Sequence, residues 1–65
     1  MNTLERRFLA ESLLVARQRS GLTAKQLGRM VGVSSVAVTH WENGDRTPTA
    51  YHLYELDRIF GEDWR

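Results

Sequence analysis

The chain predicts an all-α fold on three observations. Apolar residues recur at three- and four-residue spacing in several separate runs, as they do on helices that bury one face. Residues able to cap a helix precede these runs, and glycines stand just past their ends at Gly21, Gly32, Gly44 and Gly61. Finally, 65 residues with no cysteine lie near the lower limit for a core without disulfides or metal, where a small helical bundle is the economical solution.

In chain order, Thr3 is placed to cap a first helix with Glu5 in its first turn. Leu9, Leu13 and Ala16 form its buried face, continued backward by Leu4 and Phe8. This helix is expected to end near Ser20, because Gly21 follows. Phe8 and Leu14 lie off the main stripe and are read as covering the core, with a partner contact as the alternative.

Thr23 and Gln26 have the spacing of a capping box, so a second helix starts there. Leu27, Met30 and Val31 give it a buried face, and Gly32 ends it. Gly28 lies inside this helix, where glycine costs about 1 kcal/mol against alanine. Close approach of the next helix is the expected reason, since a large side chain would push that helix away.

Only Val33 separates Gly32 from Ser34, the cap of a third helix in which Val38 and Trp41 repeat the apolar spacing until Asn43 and Gly44. Two helices this close must cross. Residues 23–43 therefore read as a helix-turn-helix, whose second helix enters the DNA major groove. Asp45 to Pro48 form a short loop, and Pro48 suits the first turn of a fourth helix capped by Thr47 or Thr49. Leu53, Leu56 and Phe60 are its buried stripe and Gly61 its stop. Glu62 to Arg65 are too few for a further helix, so the reading is four helices, or five if a terminal turn forms, in one domain spanning 1–65.

Nine basic and eight acidic residues leave a net charge of only +1. Their distribution says more. Arg17 to Arg46 holds five basic against two acidic residues, a net of +3, and Thr47 to Arg65 holds two against four, a net of −2. Such segregation fits a phosphate-facing side and an opposite side. No apolar run approaches the ~20 residues of a membrane span, and the first five residues lack the layout of a signal peptide, so a cytoplasmic, nucleoid-associated protein is expected. With no cysteine, two histidines on different helices and no oriented nucleophile, neither a metal site, a cofactor nor catalysis is expected.

The segment from Gly21 to Gly44 resembles the helix-turn-helix of the phage Cro and repressor (XRE) family, in which Gly-Leu-Thr, a leucine and a small residue, Gly-Val-Ser, a hydrophobic residue, Trp-Glu and glycine recur in that order. Gly21, Leu22, Thr23, Leu27, Gly28, Gly32, Val33, Ser34, Val38, Trp41, Glu42 and Gly44 fall in register without a gap. The resemblance covers roughly Leu13 to Gly61 and implies a lambda-repressor-like domain binding an operator in double-stranded DNA.

Helical spacing puts Ser35, Val36, Thr39 and His40 on the side away from Val38 and Trp41. The resemblance makes these four base-reading positions: hydroxyls bond base edges, the methyls of Val36 and Thr39 fit a thymine methyl, and His40 suits a guanine N7 or a phosphate. Thr23, Lys25, Gln26, Ser34, Asn43 and Arg46 surround the implied phosphate path, with Arg19 and Thr47 as outlying candidates. Ala24 departs from the family, which usually has a phosphate-binding glutamine there. Arg17 and Glu42 match a structural ion pair of the family, and Trp41 reads as a core anchor rather than a base-stacking residue. A single module buries only about 600 to 1,000 Å² on DNA, so a homodimer on two half-sites is expected, with Tyr51, Tyr54, Ile59, Phe60 and Trp64 as material for its interface. Two rival readings change the partner: an antitoxin that also binds a toxin protein, and a protein-only module such as an anti-repressor.

Overall fold

A computed structural model describes residues 2–65. It contains four α-helices, α1 (Thr3–Arg19), α2 (Ala24–Val31), α3 (Ser35–Asn43) and α4 (Ala50–Phe60), followed by a 3-10 turn at Glu62–Trp64. Each α-helix starts at a polar side chain that accepts a hydrogen bond from a free backbone N–H of the first turn. For α2 the cap is reciprocal: Thr23 Oγ1 accepts from the Gln26 N–H at 3.0 Å, and Gln26 Oε1 accepts from the Thr23 N–H at 2.8 Å. Ser34 caps α3 in the same manner through the Ala37 N–H at 3.1 Å.

Four expectations need correction. Asn2, not Thr3, caps α1, because its side chain accepts from the Glu5 N–H at 2.8 Å while its amide donates to the Glu5 carboxylate at 2.8 Å. Thr49 is the cap of α4, so Pro48 precedes the helix as a buried residue and is not in its first turn. The last residues do form an element, the 3-10 turn, because Asp57 holds them: its carboxylate accepts from the Trp64 indole N–H at 2.7 Å and from Arg65 Nη2 at 2.9 Å.

The fourth correction concerns which faces are buried. The core comprises Leu13, Leu27, Val31, Val38, Trp41 and Leu56, with Leu9 and Ala10 buried beside it on α1. Leu4, Phe8 and Met30 are exposed. Leu4 and Phe8 sit five and one positions before Leu9, spacings that put them on the far side of a 3.6-residue helix. On α2 the buried arc runs through Ala24, Leu27, Gly28 and Val31, which turns Met30 out to solvent. Leu53, Ile59, Phe60 and Trp64 are half-buried and pack on the core, so of the residues named for a dimer interface only Tyr51 and Tyr54 stand clear of it.

Gly28 and Gly32 make the crossing of α2 and α3 possible. A Cβ built on Gly28 would lie 2.6 Å from the Val33 carbonyl oxygen and 3.2 Å from backbone atoms of Ser34, so any side chain there forces the turn away. Gly32 adopts φ +88°, in the left-handed region that lets the chain leave α2 and turn at once into α3. Both the Gly32 and the Val33 N–H groups donate to the Gly28 carbonyl at 2.8 Å, which ties the turn to the helix it leaves.

Candidate nucleic-acid interface

The candidate interface is built on α3, which is held from behind. Val38 and Trp41 anchor it in the core, and the Trp41 ring lies 5.2 Å from the His52 ring of α4. Arg17 of α1 grips its last turn: Nε donates to Glu42 Oε2 at 2.6 Å, Nη2 to Oε1 at 3.0 Å, and Nη1 to the Leu22 carbonyl at 2.9 Å. This forked geometry uses the planar guanidinium fully, and only 17% of the Arg17 side chain and 8% of the Glu42 side chain remain exposed. The hydrogen bonds to Glu42 raise the Arg17 pKa above the ordinary arginine value, with its partial burial opposing them and the charge of Glu42 adding to the rise.

With its inner side fixed in this way, α3 turns the other side to solvent. Ser35 and Thr39 are exposed, Val36 is 62% exposed, and His40 is half-buried at the edge. The Thr39 hydroxyl donates to the Ser35 carbonyl at 3.0 Å, which leaves it two lone pairs and a methyl for other contacts. His40 Nδ1 stands 3.5 Å from the Asp45 carboxylate, a neighbour that sequence spacing alone did not single out. Asp45 and Arg46 donate their backbone N–H groups to the His40 carbonyl, so the loop after Gly44 wraps the end of α3. Asn43 lies on the same exposed side, seven residues after Val36 and four after Thr39.

The residues named for phosphate contact fall into two kinds. Thr23, Gln26 and Ser34 use oxygen lone pairs for capping, but the two hydroxyl protons and the Gln26 amide N–H groups remain available to an anion. Lys25, Asn43 and Arg46 are exposed cations or amides at the start of α2, at the end of α3 and in the loop that follows. No side chain at Ala24 reaches past the helix start. Arg19 is exposed at the end of α1, and Thr47 is half-buried. Among the described residues no group of three or more His, Cys, Asp or Glu could hold a metal ion, and no helix is long and apolar enough to cross a membrane.

Comparison with known proteins agrees with this geometry. A family described as "Helix-turn-helix" matches residues 13–65. The chain is also 33% identical over 58 residues to the Repressor protein C2 of Salmonella phage P22, an alignment covering 89% of this chain. It spans about a quarter (26%) of the length of that relative. The chain therefore belongs to the helix-turn-helix family of DNA-binding regulators of the phage Cro and repressor type.

Proposed function

We propose that the chain represses transcription by occupying a specific operator, with α3 in the major groove. The observation that carries this reading is the two-sided character of α3. Its inner side is immobilised by Val38, Trp41 and the Arg17–Glu42 pair, and its outer side offers Ser35, Val36, Thr39 and His40, with no cover over the first three among the described residues. Rigid support behind and bare contact groups in front is what reading base edges requires.

In this reading each group has a distinct task. The Thr39 hydroxyl, which donates its hydrogen bond to the Ser35 carbonyl, accepts from an exocyclic amine of adenine or cytosine, and Val36 packs on a thymine methyl. Ser35 donates to a base acceptor. Lys25 and Arg46 neutralise backbone phosphates on either side, with the free N–H groups and positive dipole end at the start of α2 holding a third. His40, next to Asp45, reads the edge of the site. Two copies on half-sites about 34 Å apart would supply the affinity that a single small module lacks.

The test is selection from a random duplex pool followed by mobility shift on the selected sequence and on DNA upstream of the chain's own reading frame. A sequence-preferring shift that weakens steeply with salt supports the proposal. A folded protein that shifts no duplex at low salt contradicts it and favours a protein-only binding role.

A further inference from the structure

The outward side of α1 carries a pattern for which DNA reading has no use. Leu4, Phe8, Glu11 and Val15 follow one another at intervals of four, three and four, so they share one stripe. The stripe lies opposite Leu9, Ala10 and Leu13, which α1 buries. Leu4 is 78% exposed, Phe8 63% and Val15 43%. A seam with this spacing is what one helix offers another in a coiled coil. Phe8 forms a ridge with a hollow on either side, one reaching Val15, Phe60 and Trp64 and the other Leu4 and Leu53. A ridge beside a hollow is the shape that a two-fold contact between identical surfaces needs.

Charge identifies the occupant. Arg7 flanks the stripe beside Phe8 and Glu11 sits within it, both exposed and neither in an ion pair among the described residues. In an antiparallel pair of α1 helices with the two-fold axis between Phe8 and Glu11, Leu4 meets Val15 of the second copy and Phe8 meets its Glu11. Arg7 of each copy then reaches Glu11 of the other, giving two reciprocal pairs. A parallel pair would instead bring Glu11 against Glu11. With Arg17 held by Glu42, the first half of the helix balances Glu5 and Glu11 against Arg6 and Arg7, so this half favours neither a strongly acidic nor a strongly basic partner, whereas it matches itself.

We propose that α1 is a self-association surface on which two copies pair antiparallel through Leu4, Phe8 and Val15 with reciprocal Arg7–Glu11 contacts. The opposite side of α1 packs on α3 within the core, so pairing leaves the outer face of α3 uncovered. Such a pair joins two units that each keep their own contact face, and it stands whether or not α3 reads DNA. A 17-residue helix is about 25 Å long and gives a contact well under the ~800 Å² per partner of a standard interface. The association is therefore weak, with a dissociation constant on the order of 100 μM.

Sedimentation equilibrium of the chain from micromolar to millimolar concentration, without DNA, tests this. Wild type is expected to dimerise, and Phe8→Glu to remain monomeric with an unchanged melting curve. Arg7→Glu and Glu11→Arg alone are each expected to weaken the dimer about tenfold, and the double variant to restore it, because the exchanged charges face each other again. A wild type that is monomeric at millimolar concentration overturns the proposal. So does a dimer that tolerates Phe8→Glu, or a double variant no tighter than the single ones.

Discussion

The α-carbon of Gly28 faces the carbonyl of Val33 so closely that a methyl group on it would sit 2.6 Å from that oxygen. The obstacle is backbone, held in place by the Val33 N–H bond to the Gly28 carbonyl, and so it cannot swing aside as a side chain would. Gly28→Ala is expected to lose about 1 to 3 kcal/mol through overpacking, despite alanine's better helix propensity. Thermal or urea melts check the loss, and a Gly28→Ala protein as stable as wild type would show that the crossing of α2 and α3 tolerates a wider turn.

The Arg17–Glu42 pair should matter more than its single ion pair implies. Arg17 closes the end of α1, the Leu22 carbonyl and the last turn of α3 with three hydrogen bonds. Arg17→Ala leaves Glu42 shielded and unpaired, at a cost of roughly 3 kcal/mol, a large part of the total stability of about 3 to 10 kcal/mol expected of 65 residues. Arg17→Lys is expected to recover less than half, since an ammonium offers no fork. Chemical denaturation of the two variants measures both effects.

The pair also sets a pH expectation. The Arg17 pKa is raised in the folded state, so its stabilisation is fully present below the ordinary arginine value and is lost only as pH climbs through the raised one. Its contribution is therefore constant from neutral through mildly alkaline pH. The difference in stability between wild type and Arg17→Gln should stay level between neutral and moderately alkaline buffers, and a difference that shrinks there would contradict the assignment.

Most of the fold was legible because the signals that specify it are local. Thr23 with Gln26, Gly32, Ser34 and Gly44 each act within a turn of themselves, and all are found as capping chemistry dictates. What the sequence hid was competition between equally plausible local choices. Asn2 and Thr3 both cap helices, and only the reciprocal bond to Glu5 decides; the Asn2-Glu5 spacing was the available signal. Met30 is apolar enough for a core, but which arc of α2 is buried depends on where Gly28 meets its neighbours, whereas the five-residue spacing of Leu4 from Leu9 already set Leu4 on the outer side. At the candidate interface, the outward exposure of Ser35, Val36 and Thr39 follows from the anchoring of Val38 and Trp41. The Asp45 carboxylate beside His40 depends on how the loop after Gly44 folds back, which no short-range pattern encodes.

Contact groups in front of a fixed helix can be removed without unfolding it. Val36→Ala and Thr39→Ala are each expected to weaken binding to a selected duplex by about 1 to 3 kcal/mol and to relax preference at one base pair, with melting unchanged within about 0.5 kcal/mol. Anisotropy titrations on the selected duplex and its single-base variants separate these outcomes.

Phosphate contacts should behave differently. Lys25→Ala and Arg46→Ala are expected to weaken binding to all duplexes alike and to reduce the slope of log affinity against log salt by about 1 each. Variants that change base preference but leave the salt slope intact would move these residues off the phosphate path.

The most direct measurement is amide chemical-shift mapping of the chain titrated with a selected duplex. If α3 enters the groove, the largest perturbations gather at Ser35, Val36, Thr39 and His40 and at the start of α2 around Lys25. Perturbations confined to α1 and α4, with the outer face of α3 undisturbed, would contradict that docking.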